Sequence, residues 1–109
     1  DPAVVGNAGS FFKNPEVSLE QYAALKAAHP GLVAYPSEGG MKLAAGWLIE
    51  QCGWKGKRVG NVGAHARQAL VIVNYGGATG AEILDFARQV QASVAARFGV
   101  ALQTEVNII

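Results

Sequence analysis

The strongest constraint on the fold is an amphipathic segment near the end of the chain. Between Gly80 and Phe98, apolar side chains recur every three or four positions: Ile83, Phe86, Ala87, Val90, Val94 and Phe98. Thr79 and Glu82 have the spacing of a capping box, and Gly99 is a typical helix-terminating residue. The pattern predicts a helix over 80–98 that packs one face on a core, so the rest of the chain must supply the other side of that core.

Two further segments have helical signals. The stretch 18–28 begins with Ser18, a good N-cap, and Gln21 three residues later completes a capping-box pattern. The stretch 41–52 carries apolar pairs four residues apart and is followed by Gly53. We expect helices over both stretches.

The segments between the predicted helices favour short strands. The candidates are 69–73, 100–102, 105–109 and the shorter 4–5, 10–12 and 59–62. The chain has 109 residues, half of them hydrophobic, which is enough for one domain with a real core. We therefore expect an α+β fold: a two-layer domain with a small mixed or antiparallel sheet and about three helices.

Charge and cysteine content exclude some classes of function. Nine basic and eight acidic residues give a net charge of +1, which argues against a nucleic-acid partner. A small phosphorylated ligand held by one or two cations stays open. Cys52, the single cysteine, and two histidines have no metal-ligand spacing, so we predict no metal site.

The segment 6–15 is the first candidate for a functional site. Two glycines precede Ser10, so the backbone there can approach a ligand closely and direct the hydroxyl into a cleft. Asn14 precedes Pro15, which favours an extended or turn conformation and leaves the amide free for polar atoms. The G-x-S-x-G elbow of serine hydrolases is absent, so a hydrolase triad is not supported. The alternative is a glycine-rich turn that leads into a strand.

Other candidate residues each have a functional and a structural interpretation. Tyr35, in a polar loop expected between two helices, could close over a ligand or be a half-buried surface tyrosine. Lys55, in a basic turn, could hold a phosphate or be a solvated charge. Glu105, in an otherwise apolar strand, could handle a proton if burial raised its pKa, or could face water on an edge strand. His65 alone is more often structural than catalytic.

Together and in order, these features resemble one family, the C-terminal domain of the UDP-N-acetylenolpyruvoylglucosamine reductases (the MurB family). The resemblance spans essentially the whole chain, and the Tyr35 loop is similar to that of the type I members. The segments that carry it are 7–15, Tyr35-Pro36, 42–53, Lys55-Gly56, His65 with Gln68, and Glu105-Val106.

The resemblance implies an oxidoreductase. In that family FAD is bound by N-terminal domains, NADPH reduces the flavin, and the flavin delivers hydride to UDP-N-acetylglucosamine enolpyruvate, giving UDP-N-acetylmuramate. The implied setting is peptidoglycan synthesis in the bacterial cytoplasm, and hence cell wall biogenesis, cell shape, the cell cycle and cell division. Residues 1–109 would be a single C-terminal substrate-binding domain of a longer flavoenzyme, inactive by itself. The implied partners are the nucleotide sugar and the remainder of the polypeptide, without nucleic acid or membrane.

The resemblance also implies roles for single residues. Ser10 matches the general acid that protonates the substrate, and Glu105 matches the glutamate near the enolpyruvyl group. Asn14 and Lys55 match positions that bind the nucleotide and diphosphate part of the substrate. Tyr35 matches the loop tyrosine that covers the diphosphate, and Gln68 matches a further substrate-binding position. One departure is Asn107, which stands where many members have an arginine.

A different class of function also fits the sequence, namely a free-standing, non-catalytic module that binds a UDP-sugar or another nucleotide. The chain opens with Asp1-Pro2 instead of Met and stops in the apolar stretch 105–109. We therefore expect it to be a piece of a longer protein. A flavin-binding domain upstream of Asp1 would decide for the enzyme, and a native start near Asp1 would decide for the module.

Overall fold

The computed structural model describes residues 3–4 and 11–104 of the chain. The predicted catalytic residues Ser10 and Glu105 lie outside the described residues, as does the strand predicted at 105–109. The helices are α1 (Leu19–Ala28), α2 (Ala45–Gln51) and α3 (Gly80–Phe98). The strands are β1 (Ala3–Val4), β2 (Glu16–Val17), β3 (Ala34–Ser37), β4 (Gly40–Leu43), β5 (Arg58–Val59), β6 (Val62–Ala64) and β7 (Ile72–Asn74).

The longest helix, α3, has the bounds that the sequence predicts. The Thr79 hydroxyl accepts from the Glu82 N–H at 3.2 Å, and the Glu82 carboxylate accepts from the Thr79 N–H at 2.9 Å. Gly99 ends the helix in the left-handed conformation with φ 66°. All six residues of the predicted apolar stripe are buried. The helix packs on β6 and α2, and so forms one wall of the core.

The first helix is also confirmed, with Ser18 as its N-cap. The Ser18 hydroxyl accepts from the Gln21 N–H at 3.0 Å. No residue of α1 is fully buried, so this helix lies on the outside of the domain. Tyr22 and Leu25 are its partly buried contacts with the core.

The predicted start of the second helix is wrong. Helix α2 begins at Ala45, because the residues before it form β4, which pairs with β2 on one side and β3 on the other. Met41 and Leu43 are apolar and fit a helical or a strand pattern equally well. The pairing of this segment with β2 and β3 stabilises the strand in place of the helix.

The strands form two antiparallel sheets. One has four strands in the order β1-β7-β6-β5, and the other has three in the order β2-β4-β3. Every pairing between the named strands is antiparallel. The α+β class with three helices is therefore confirmed, and the strands are divided between two sheets.

Individual strands differ from the sequence predictions. The strand predicted at 69–73 starts later, at Ile72, because Val71 donates its N–H to Gln68 O at 2.9 Å in a turn. The strand predicted at 100–102 is wrong, although Val100 and Leu102 are buried and Ala101 is exposed as alternation requires. The segment that contains Val100 and Leu102 pairs in a strand-like manner at Thr104, which forms an isolated antiparallel bridge with Phe12.

The core lies between α2, α3 and the two sheets. Phe11 and Phe12 are both fully buried in it, with ring centroids 5.2 Å apart in an edge-to-face arrangement. The segment that follows Ser10 is thus fixed by its aromatic side chains. No helix within the described parts of the chain has the length and apolar character to cross a bilayer.

Candidate functional site

The described backbone that adjoins each of the two predicted catalytic residues, after Ser10 and before Glu105, belongs to one paired structure. Phe12 and Thr104 form an antiparallel bridge, and Lys13 donates its N–H to Gln103 O at 2.8 Å. Phe11 donates its N–H to Leu70 O at 2.9 Å. Ser10 is the residue before Phe11, and Glu105 is the residue after Thr104. The described neighbours of both residues therefore lie on the same pair of hydrogen-bonded segments.

Asn14 is placed at the start of α2 by a tertiary hydrogen bond. Its Oδ1 accepts from the Ala45 N–H at 2.9 Å. The N-cap residue of α2 is Ala44, which offers no side-chain acceptor. Asn14 thus satisfies a helix N–H that would otherwise lack a partner. Its amide nitrogen donates to no residue in the described ranges and can serve a ligand.

A cleft of about 510 Å³ lies beside Asn14. We call it the lysine cleft, and its lining residues are Phe12, Lys13, Asn14, Pro15, Glu16, Lys42, Ala101 and Gln103. Its walls come from the segment before β2, from β4 and from the segment that bridges Phe12. The lining is mostly polar, with two cations and one anion.

Tyr35 lies on a strand, which corrects the predicted loop between two helices. The hairpin β3–β4 places Tyr35 directly opposite Lys42, and Lys42 is opposite Glu16 on the other side. These three residues form a row across the exposed face of the three-stranded sheet. Tyr35 is 53% exposed, next to the lysine in the cleft wall.

The Glu16 carboxylate is held on the β3–β4 hairpin. The nearby Ser37 hydroxyl lowers the pKa of Glu16, and the Gly39 N–H, which donates to Oε2 at 3.3 Å, and the charge of Lys42 lower it further. A Cβ added to Gly39 would meet Oε1 at 2.8 Å, so the carboxylate lies tightly over that glycine. Glu16 is therefore an ionised, fixed group at the rim of the lysine cleft.

Lys55 and Gln68 lie around a second cleft of about 230 Å³ along α2. We call it the α2 cleft, and its lining residues are Gly46, Glu50, Arg67, Gln68, Ala69 and Leu70. Lys55 is adjacent through a salt bridge, with its Nζ 3.0 Å from Glu50 Oε1. Both side chains of this pair are partly exposed, at 37% and 46%.

His65 has a structural role next to the α2 cleft. Its Nδ1 accepts from the N–H groups of Arg67 and Gln68, at 3.0 and 3.2 Å. The ring thereby shapes the turn that carries Gln68. This agrees with the structural interpretation of His65, and a role of this kind has no signature in the sequence.

The structure groups three of the predicted binding residues around α2. Asn14 binds its first N–H, Gln68 lines the cleft along it, and Lys55 pairs with Glu50 on it. Tyr35 is separate and lies by the lysine cleft. The sequence analysis did not single out Lys42 or Lys13, which line the lysine cleft. Lys42 was not predicted because its strand has a helix-like sequence pattern. Lys13 lies within the Ser10 motif, directly before Asn14.

The remaining titratable groups do not form a metal centre within the described residues, where no cluster of three or more His, Cys, Asp or Glu is suited to hold an ion. Burial raises the pKa of the Cys52 thiol, so this side chain stays protonated near neutral pH.

Comparison with known proteins identifies the family. Residues 1–109 match the family model described as UDP-N-acetylenolpyruvoylglucosamine reductase, C-terminal domain. A protein named UDP-N-acetylenolpyruvoylglucosamine reductase from Pseudomonas syringae pv. tomato is 60% identical over 109 residues, which are 99% of this chain and 32% of that protein. One of the same name from Burkholderia cenocepacia is 58% identical over 106 residues, 96% of this chain and 30% of that protein. The chain thus spans about a third of the length of these relatives. It belongs to the family of UDP-N-acetylenolpyruvoylglucosamine reductase C-terminal domains.

Proposed function

We propose that this chain is the substrate-binding, proton-donating domain of a reductase that converts UDP-N-acetylglucosamine enolpyruvate to UDP-N-acetylmuramate. The observation that carries the proposal is the family match over residues 1–109, together with 60% identity to a relative that bears the reductase name. Because the relatives are about three times as long, the domain would work as part of a longer flavoenzyme. The setting that follows from this activity is bacterial peptidoglycan synthesis in the cytoplasm.

In this proposal Ser10 supplies the proton of the reduction. A serine hydroxyl is too weak an acid to protonate carbon in water, so it must be held against the substrate and the developing charge must be stabilised. Glu105 in its neutral form would stabilise the enol-like intermediate, since a second anion there would repel it. The Phe12–Thr104 bridge supports the pairing of these roles, because it joins the two segments that carry Ser10 and Glu105.

The nucleotide part of the substrate would be bound by polar groups around α2 and the hairpin. Asn14 offers its amide nitrogen while its oxygen holds the helix. Gln68 lies in the α2 cleft, and Lys55 lies beside it, tethered to Glu50. Tyr35, exposed and opposite Lys42 on the hairpin, would cover the diphosphate. Several weak polar contacts of this kind fix a ligand's orientation more than they hold it tightly.

The described residues do not fit a flavin site. Flavin-type ligands are held in clefts lined mainly by apolar side chains. The 510 Å³ cleft is lined mainly by charged and amide side chains, and the 230 Å³ cleft is small for a dinucleotide. We therefore assign the binding of FAD, and its reduction by NADPH, to the other two-thirds of the longer protein, and only substrate binding and proton delivery to this chain.

The test is Ser10→Ala in the full-length protein that contains this chain. We expect reduction of the flavin by NADPH to proceed at close to the wild-type rate. Turnover of UDP-N-acetylglucosamine enolpyruvate should fall by about 10²–10⁴-fold, the usual contribution of a general acid. Ser93→Ala is the matched control, because that hydroxyl only donates to Gln89 O within α3, at 3.0 Å. Turnover above about a tenth of wild type in Ser10→Ala would contradict the role given to Ser10.

Glu105→Gln tests the second group separately. The amide keeps the shape of the side chain and removes its ability to give or take a proton. We expect reduced turnover with unchanged thermal stability. Near-normal turnover would return Glu105 to a structural role.

A further inference from the structure

The loop between β6 and β7, residues 65–71, forms most of the wall of the α2 cleft. Its two ends meet where β6 and β7 pair in the four-stranded sheet. Four consecutive residues of the loop, 67–70, line the cleft, and α2 supplies the other two lining residues. The conformation of this loop therefore sets the shape of the cleft and the place of Gln68 in it.

The C-terminal end of the loop is held by the main chain. Leu70 O accepts from the Phe11 N–H at 2.9 Å. The Val71 N–H donates to Gln68 O, also at 2.9 Å. Neither bond uses a side chain of the loop, so this end, and the segment after Ser10 that it contacts, keeps its place whatever side chains the loop carries.

The N-terminal end of the loop depends on one side-chain atom, His65 Nδ1. This nitrogen accepts from the N–H groups of Arg67 and Gln68, at 3.0 and 3.2 Å, and both residues line the cleft. The His65 N–H donates to Val71 O at 2.8 Å, so the ring extends from fixed backbone. A neutral imidazole accepts with one nitrogen and carries its proton on the other. The ring of His65 must therefore be the tautomer with the proton on Nε2.

We propose that His65 is a positioning residue for substrate binding, whose Nδ1 holds Arg67 and Gln68 in the arrangement that binds the nucleotide sugar. The inference rests on the proposed function and adds to it a residue that acts through Gln68. A wall that is ordered before the ligand arrives lowers the entropic cost of binding. Because main-chain bonds hold the segment after Ser10, loss of the ring should weaken substrate binding and leave proton delivery in place.

The experiment compares His65→Ala with Asn74→Ala in the full-length protein that contains this chain. Asn74 is the matched control, because its Oδ1 also accepts from two N–H groups of its own turn, at 2.9 and 3.3 Å, and it lines neither cleft. We expect His65→Ala to raise the KM for UDP-N-acetylglucosamine enolpyruvate by roughly fivefold to a hundredfold, the range that two neutral hydrogen bonds cover. The kcat should change by less than about threefold, as for a loss of binding alone. Asn74→Ala should change neither constant.

A second pair of variants tests the acceptor itself. The Oδ1 of an asparagine lies where the ring has Nδ1 and accepts from N–H groups two and three residues on, as in an Asx-turn. We expect His65→Asn to bring the KM back close to that of wild type. The acceptor of a glutamine lies one bond farther out, so His65→Gln should behave like His65→Ala, and it keeps the test decisive if the alanine variant does not fold.

A double variant shows whether His65 acts through Gln68. Two changes that remove the same contact are not additive. In a Gln68→Ala background, His65→Ala should therefore raise the KM much less than it does alone. Full additivity of the two changes would contradict the proposed route through Gln68.

A purely structural role predicts a different result. His65→Ala and Asn74→Ala would then lower the melting temperature alike and leave both KM values at the wild-type level, and this outcome would overturn the proposal. A KM that is raised equally in His65→Ala and His65→Asn would overturn it as well. The ¹⁵N NMR signals of His65 give a check that needs no turnover, since a proton on Nδ1 would contradict the two hydrogen bonds.

The proposed function is tested apart from this inference. Binding of UDP-N-acetylglucosamine enolpyruvate to the oxidised protein, measured by calorimetry, needs neither hydride transfer nor proton transfer. If wild-type protein binds this compound and does not reduce it, the proposed function fails, and titration of the His65 variants still decides about the positioning role. A wild-type protein that does not bind it would overturn both proposals.

Discussion

The side-chain oxygen of Asn14 accepts a hydrogen bond from the backbone N–H of Ala45 at 2.9 Å. A residue predicted to bind ligand thus also holds the first turn of α2. The Oδ1 atom of the Asn14 amide binds the helix, and the amide nitrogen is left to bind a ligand. Substitutions at Asn14 can separate these tasks.

We expect Asn14→Ala to lower stability and ligand binding together, whereas Asn14→Asp should lower only binding. The aspartate keeps an oxygen for the Ala45 N–H but has no donor for a ligand. Loss of a helix-capping acceptor costs about 0.5–2 kcal/mol. Urea unfolding and UDP titration measure the two effects. Equal stability of the alanine variant and wild type would show that the Ala45 hydrogen bond contributes nothing.

The Glu50–Lys55 pair gives a second prediction. Both groups are partly exposed, so Lys55→Gln should change the free energy of unfolding by no more than about 1 kcal/mol. If Lys55 binds substrate, the same change should raise the KM for the nucleotide sugar several-fold. Glu50→Gln releases the lysine and should leave that KM unchanged or lower it. If Glu50→Gln changed the KM and Lys55→Gln did not, substrate binding would be assigned to the Glu50 carboxylate.

Gly63, in β6, tests the packing of the four-stranded sheet. A Cβ there would lie 2.9 Å from Lys57 O and from Tyr75 Cε2, and backbone cannot move away easily. We expect Gly63→Ala to destabilise the domain by about 1–3 kcal/mol, as overpacking does.

The control for this prediction is Gly31→Ala, where the added Cβ would make an ordinary 3.7 Å contact with Trp47. It should be neutral or slightly stabilising, since alanine restricts the unfolded chain. Thermal melts report the difference, at roughly 4–8 °C per kcal/mol for a domain of this size. Similar melting temperatures for the two variants would contradict the packing described for β6.

The lowered pKa of Glu16 predicts a pH-dependent stability. Because the folded pKa lies below the unfolded value, the contribution is present above the ordinary glutamate pKa of 4.5 and is lost as the pH falls through the folded value. Glu16→Gln should therefore have a lower melting temperature than wild type at pH 7, and this difference should disappear in acid. Glu38→Gln, at a neighbouring hairpin position, is the control for the loss of one negative charge from the hairpin. A difference in melting temperature that does not change with pH would exclude the ionised Glu16 carboxylate as its cause.

Local signals in the sequence predicted the helices well. The ends of α3 are fixed by Thr79, Glu82 and Gly99, which act within one turn of the helix, and its buried face follows from spacing alone. Ser18 likewise marks the start of α1. Such features need no knowledge of distant contacts, and the predictions based on them are confirmed.

Non-local pairing explains what the sequence did not predict. Residues 40–43 form a strand because β2 and β3 pair with it from both sides, and β2 itself was missed. Lys42 and Tyr35 meet across that sheet, so the lysine cleft was not predicted. The grouping of Asn14, Gln68 and Lys55 around α2 depends equally on tertiary contacts. The family resemblance identified these three residues without showing how they are arranged.

The Phe12–Thr104 bridge also bears on how the domain acquires its site during folding. It joins residues separated by nearly the whole described chain, and closing so long a loop carries a large entropic cost. Local elements such as α3 form early, whereas contacts between distant segments form late. We therefore expect the segments next to Ser10 and Glu105 to come together in one of the last folding steps, so that a partly folded domain would have its helices but no assembled reactive centre.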